Sequence, residues 1–331
     1  MNDQNQIGTA RTSKRRGRGC LFWLGASLAT LLGLALVGYI YEPMAEAADA
    51  KAYPPPGQLV DVGGYRLHLN CTGSGSPTVV IDAGHAESSA SWGWVQPEIA
   101  RTTRVCTYDR AGMGWSEASP YPRTARQFAK ELHTLLANAN EPGPYVLVGH
   151  SLGGYTVLVY AHDYPDEVSG LVLVDAQKLP ASNAASFNPA PKPGVNPLPS
   201  WIARIGLVRL LSGPLGSVKD LPEQDKQAYK AYSVAPRSVQ TFIDEGMGMS
   251  EGGAQAKAVT TLGALPLIVL SAGLDETADH TASQAGFLLL SSNSQQLFAE
   301  ESGHEIHIEQ PEAAVAAIVK MVELVRQMVK K

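Results

Sequence analysis

Tyr145-Val146-Leu147-Val148-Gly149-His150-Ser151-Leu152-Gly153-Gly154 reads as an apolar strand that runs straight into Gly-x-Ser-x-Gly. The stretch after it, Tyr155 to Ala161, continues as a buried helix. A strand joined so directly to a helix must turn sharply, lifting the serine above the carboxyl ends of the strands while small glycines leave room. A serine between two glycines is by itself an ordinary loop. The strand before it and the apolar helix after it make Ser151 a candidate nucleophile.

A serine hydroxyl is a poor nucleophile at neutral pH and needs a base, an acid to orient that base, and donors for the oxyanion. For a serine on such a turn the chain order is Ser, acid, His, so the base is expected far downstream. Gly303-His304-Glu305-Ile306-His307-Ile308-Glu309-Gln310-Pro311 fits, with Gly303 allowing a turn that exposes His304 and a helix starting after Pro311. His307, flanked by isoleucines, reads as a packed, hydrogen-bonded histidine. His68 falls in a strand, His133 and His162 on helices, and His150 beneath the turn. As metal ligands, His304 and His307 lack a third partner and the i, i+4 spacing of a zinc helix, so no metal site is expected.

Four segments in order carry a resemblance to a known family: Val79-Val80-Ile81-Asp82-Ala83-Gly84-His85, Tyr108-Asp109-Arg110-Ala111-Gly112-Met113-Gly114-Trp115-Ser116, the serine turn, and Gly303-His304. The chain resembles the α/β-hydrolases, in the branch with esterases, haloperoxidase-like perhydrolases and haloalkane dehalogenases, over about residues 59 to 326. The resemblance implies an α/β fold with a mostly parallel eight-stranded sheet, helices on both faces and a helical cap. It also implies an oxyanion hole from the backbone N–H groups of Leu152 and His85, although Ala83-Gly84 replaces the usual His-Gly pair. Asp109 precedes Ser151 and reads as structural.

Two residues compete for the triad acid. Asp275 follows the strand Pro266 to Ser271, where most relatives keep it, 29 residues before His304. Its loop also holds Glu276 and Asp279, and Gly273 lies too close for the usual Gly-x-x-Asp. Asp175 ends the strand Leu171 to Val174, the position that relatives sharing the Ser-Gly-His-x-Ile-His tail favour. Asp175 is preferred, with a helix-capping role as its plain alternative.

The 331 residues are 44% hydrophobic, enough for a sizeable core, and show no fixed-period repeat. Net charge is −5, but residues 1 to 19 carry +4, leaving an acidic body of −9. That body and the lack of a basic, aromatic-laced stripe argue against a nucleic-acid partner.

The basic tail (1–19) precedes Cys20 to Tyr41, which carries no charge and is long enough to span about 30 Å of hydrocarbon. Basic residues on its amino side keep that end cytoplasmic and put the catalytic part outside. An uncleaved transmembrane anchor is favoured over a secretory signal cut near Ala45-Glu46-Ala47, since signal cores are shorter. Either way the catalytic part is exported, membrane-bound or, after cleavage, secreted or periplasmic. Residues 42–58, rich in alanine and closing on Pro54-Pro55-Pro56, are expected to form an extended, stiff tether.

In the family's strand order, 1-2-4-3-5-6-7-8, the strands holding Cys71 and Cys106 are neighbours, which implies a disulfide in an oxidising compartment. Residues 59–176 and 261–331 then form the hydrolase core, and 177–260 the cap. A loop over Pro180 to Pro199 leads to an apolar helix over Trp201 to Leu211 and helices over Asp220 to Tyr232 and Ser238 to Met247. Trp92, Trp94 and Trp115 either line a substrate pocket or pack cap onto core, and Trp201 with its neighbours is a candidate for lipid contact.

The expected function is hydrolysis of a small-molecule carboxylic ester through an acyl-enzyme, with no cofactor and no metal. Perhydrolase or haloperoxidase-like chemistry and amide cleavage are alternatives on the same triad. Dehalogenation and epoxide opening are disfavoured because those relatives carry Asp where Ser151 stands. A catalytically silent ligand-binding or interaction protein on the same scaffold is the alternative of another class. Substrate groups and oligomeric state are not legible.

Overall fold

Every residue of strand β5 (Tyr145–His150) is buried, and its side chains alternate between two cores. Val146 and Val148 point into one cluster, Leu147 into the other, as the period of two in a strand with both faces covered requires. The computed structural model describes residues 16–180, 189–212, 220–274 and 277–330.

Within them, β5 sits inside an eight-stranded sheet of order β1-β2-β4-β3-β5-β6-β7-β8. The strands are β1 (Gln58–Asp61), β2 (Arg66–Thr72), β3 (Thr78–Asp82), β4 (Val105–Tyr108), β6 (Val168–Val174), β7 (Leu267–Ala272) and β8 (Ser294–Ala299). β1 and β2 run antiparallel at one edge; from β4 onward all pairs are parallel. The Cα partners Cys71 and Cys106 of β2 and β4 are disulfide-bonded.

Helices cover both faces because each presents one apolar stripe. In α3 (Ala125–Asn138) the buried residues Phe128, Leu132, Leu135 and Leu136 follow helical spacing, and α4 (Gly153–Asp163) is buried on nearly every side. These pack on one face. On the other lie α2 (Val95–Ala100) and α11 (Pro311–Val329), the latter burying Ala314, Ala317, Ile318, Met321, Val322 and Val325. Each fully buried Leu, Ile or Val contributes about 1.5–3 kcal/mol, so the site stands on a sheet clamped from both sides.

Between β6 and β7 the chain leaves the sheet for α5 (Leu198–Arg204), α6 (Leu207–Leu211), α7 (Glu223–Ser233) and α8 (Pro236–Lys257). The single helix expected over Trp201 to Leu211 is split at Gly206, whose φ of +73° suits glycine and breaks the helical path. α8 runs longer than expected and ends at Lys257. After β7 come α9 (Ala278–Phe287) and, past β8, the short α10 (Ile306–Glu309).

The extended tether expected over residues 42–58 is corrected by the structure: α1 (Arg16–Ala52) stays helical through most of it. Ala-rich residues favour a helix, and α1 is fastened to the cap, with Arg209 of α6 bonded to Glu42 and Asp49. Extended chain starts only near Pro54-Pro55-Pro56, which cannot continue a helix. From Cys20, α1 is long and apolar enough to cross a membrane, with an 18-residue window of mean hydropathy 2.1.

Candidate active site

Ser151 lies just past the carboxyl end of β5 with φ of +49°, a left-handed conformation that costs a non-glycine residue about 1–3 kcal/mol. The turn is held by the Ser151 N–H donating to Val174 O and by the Gln177 N–H donating to Ser151 O. The flanking glycines are sterically required. A Cβ on Gly149 would come within 2.6 Å of Gly153 O, and one on Gly153 within 2.4 Å of Asp82 O.

Asp175 holds the corresponding place on the next strand, directly after β6, with φ of +40°. Its N–H donates to Leu270 O of β7, and its buried carboxylate reaches beyond the sheet edge. Oδ2 accepts from His304 Nδ1 at 2.6 Å; Oδ1 accepts from the Ala272 N–H at 3.0 Å and from His280 Nε2 at 2.8 Å. Burial alone would raise the Asp175 pKa, but the bond from His304, aided by Ala272 and His280, holds it below the ordinary carboxylate value. A donor role for His304 Nδ1 leaves the lone pair of the neutral ring on Nε2. Asp275 lies outside the described residues.

The His304 loop is tied to the serine turn. His150 Nε2 donates to His304 O at 2.9 Å, and the two rings are 4.8 Å apart. The Gly303 N–H donates to Glu309 of α10. Ser151, Asp175 and His304 are thus gathered at the carboxyl end of the sheet; the Ser151 hydroxyl makes no hydrogen bond among the described residues.

Neither the Leu152 N–H nor the His85 N–H has a hydrogen-bond partner among the described residues. The loop bearing His85 is braced from below and above. Arg110, fully buried, donates to Ala83 O and Gly84 O and pairs with Asp82 and with Glu245 of α8. The His85 ring stacks on Phe242 of α8 and donates to its carbonyl at 2.8 Å. Asp109 receives bonds from His68, Ser89 N and Trp115 N, which makes it a fixed corner of the loop after β4. Trp92 is buried against His307, whereas Trp94 and Trp115 donate to Asp220 O and Tyr53 O, joining core to cap and to the residues after α1.

His280 and the Arg110–Glu245 pair carry no sequence signature that would have singled them out. His280 sits one turn into α9, after the Thr277 cap, and only the fold brings it to Asp175. His150 and His307 converge with Glu87 and Glu305 in one cluster. Burial lowers the pKa of His150, but the Glu87 carboxylate outweighs it and raises the pKa to about 9.

A sequence-family model described as alpha/beta hydrolase fold matches residues 77–311. An uncharacterised protein of Schizosaccharomyces pombe is 30% identical over 257 residues, covering 67% of this chain and 47% of its own length. The uncharacterised protein YqjL of Bacillus subtilis is 29% identical over 252 residues, covering 74% of this chain and 83% of its own. Among solved structures, a thermophilic esterase from Thermogutta terrifontis matches with a TM-score of 0.62 at 23% identity, over 81% of this chain and 98% of its own. A bromoperoxidase from Bacillus anthracis gives 0.60 at 19%, over 80% and 99%. At these identities the solved structures speak for the fold.

Proposed function

The chain belongs to the alpha/beta hydrolase fold family, and from that premise we propose that it is a serine hydrolase cleaving carboxylic esters of small molecules with Ser151, His304 and Asp175. The observation that carries this reading is the 2.6 Å bond from His304 Nδ1 to Asp175 beside a serine on a left-handed turn.

In this mechanism Ser151 Oγ bonds to the ester carbonyl carbon as His304 Nε2 takes its proton, and Asp175 holds the imidazolium. The carbonyl oxygen becomes an oxyanion held by the N–H groups of Leu152 and His85, where each strong donor lowers the barrier by about 3 kcal/mol. Collapse breaks the bond to the alcohol oxygen, which takes the proton from His304. Water, deprotonated by the same ring, then attacks the acyl carbon, releasing the acid and returning the proton to Ser151.

We further propose that α1 anchors the enzyme in a membrane with its catalytic part outside the cytoplasm. Supporting this, α1 is fastened to the cap on both sides of Ala45-Glu46-Ala47, through Glu42 and Asp49 to Arg209. Beside the apolar run, Leu198, Trp201, Leu210 and Leu211 are exposed on the cap, which suits a lipid surface.

The test is a fluorophosphonate probe on full-length protein, followed by p-nitrophenyl esters of increasing acyl length. The wild type should be labelled and active, and Ser151→Ala neither. An unlabelled, folded wild type would turn the reading to a silent binding scaffold. For the anchor, retention in membranes after an alkaline carbonate wash, with the amino terminus intact, is expected; a mature chain starting after Ala47 would refute it.

A further inference from the structure

Beside the triad, on the side of His304 where His150 donates to its carbonyl, four side chains from three separate segments meet. Glu87 comes from the loop after β3, His150 from the end of β5, and Glu305 and His307 from the start of α10 and the residue before it. His150 Nδ1 is 3.2 Å from Glu87 Oε1; His307 Nε2 is 3.4 Å from Glu87 Oε2 and 3.9 Å from Glu305 Oε2. One donor atom from each of the four lies within 4.8 Å of all the others.

Glu87 Oε2 also accepts from the Gly84 N–H at 2.9 Å and from Ser91 Oγ at 3.2 Å. His150 Nδ1 and both ring nitrogens of His307 are buried without a hydrogen-bond partner, although both side chains are fully enclosed. Buried ring nitrogens are ordinarily satisfied, so His150 Nδ1 and His307 Nε2, each facing a carboxylate, point to something between them. With His150 Nε2–H committed to the His304 carbonyl, Nδ1 is the ring nitrogen left to face the cluster. Metal-bound histidines are typically oriented through the second nitrogen in this way.

We propose that Glu87, His150, Glu305 and His307 form a structural zinc(II) site. Zinc bonds to nitrogen and carboxylate oxygen are about 2.0–2.2 Å, which in a tetrahedron sets donor atoms about 3.4 Å apart. Three of the approaches, 3.2, 3.4 and 3.9 Å, lie near that value, two of them to different oxygens of Glu87, and with the remaining pairs within 4.8 Å the four donors have to draw together to close around the ion. The two carboxylates neutralise the ion. Two imidazoles and two carboxylates suit a borderline cation, and four protein ligands leave no open position for water, so the ion has a holding rather than a reacting role. It cross-links the loop that bears His85, the turn that bears Ser151 and the loop that bears His304. Sequence spacing hid the site, because Glu87 and His307 are more than two hundred residues apart and His304, next to the ligands, is not one of them.

The experiment uses full-length protein extracted in detergent, without a polyhistidine tag. Elemental analysis should find about one zinc per chain, the stoichiometry of a closed four-ligand site. After chelation, cobalt(II) should restore a visible tetrahedral ligand-field band, and zinc should raise the melting temperature in a concentration-dependent way. Glu305 is partly exposed, so Glu305→Gln should fold while binding zinc at least about 10- to 100-fold more weakly, the loss seen even for outer partners of a ligand. His307→Ala serves as the second variant. Ser151→Ala should keep its zinc, which separates this site from the ester-cleaving reading. A wild type that copurifies without zinc, and shows neither the cobalt band nor a zinc-dependent melting shift, overturns the proposal and leaves a cluster held by protons alone.

Discussion

His280 donates through Nε2 to the same Asp175 carboxylate that receives His304, at 2.8 Å on the opposite oxygen. The acid is therefore gripped from two sides and by the Ala272 N–H, which limits its rotation. In the proposed triad His280 would act through Asp175, as a positioning residue. Loss of one such bond is worth about 0.5–1.5 kcal/mol, so His280→Gln should slow kcat about 2- to 10-fold with little change in KM. Steady-state ester hydrolysis checks this, and an unchanged kcat would show that Ala272 and His304 suffice.

Asp175→Asn should leave the fold intact and lower kcat about 10⁴-fold by upsetting the His304 tautomer. Asp275→Asn is the comparison, and a small effect is expected. The reverse pattern would hand the acid role to the loop after β7.

Glu245→Ala leaves the Arg110 guanidinium buried with only Asp82 for a charged partner. Breaking one side of such a pair costs about 3–5 kcal/mol. The loop bearing His85 loses its brace as well, so stability by chemical denaturation and kcat should both fall. Phe242→Ala, which removes only the stacking partner of His85, should lower kcat with a smaller loss of stability.

The response to acid follows from two buried carboxylates. Burial by itself raises the pKa of Glu131 and Glu245, but Arg123 and Arg110 outweigh it and hold both below the ordinary value. A carboxylate depressed on folding stabilises the protein above its unfolded pKa, about 4.3, and that contribution disappears as pH falls through the folded value. Melting temperature should be insensitive to these groups from pH 6 to 8 and drop steeply below about pH 4. Glu131→Gln should start lower at neutral pH and lose less on acidification.

Cys71→Ser with Cys106→Ser removes a cross-link between residues 35 apart in sequence. On chain entropy the loss is about 3–4 kcal/mol, read as a lower denaturation midpoint under non-reducing conditions. Reducing agent should bring the wild type to the same midpoint and leave the variant unmoved.

The turn at Ser151 was legible because a strand entering Gly-x-Ser-x-Gly leaves a local mark, and Gly303-His304 stood out in the same way. The carboxylate that meets His304 was legible only as a preference for Asp175 over Asp275, since carboxylates follow both β6 and β7. Residues 42–52 misled for the opposite reason: alanine and proline suggested a spacer, while Arg209, far along the chain, recruits them into a helix. His280, Glu245 and Glu87 gain their meaning only from partners far away in sequence.

Arg209 reaches Glu42 at 2.9 Å and Asp49 at 2.7 Å, and the carbonyl of Ile205 rests where a side chain on Gly38 would be. This part of the cap is thus bolted to α1. A shortened chain begun at Gln58 for ease of purification would leave that guanidinium without either carboxylate and strip the carbonyl of Tyr53 from Trp115 and Tyr232. Any substrate preference measured on such a trimmed chain would describe a slackened cap, and only the intact chain reports the native one.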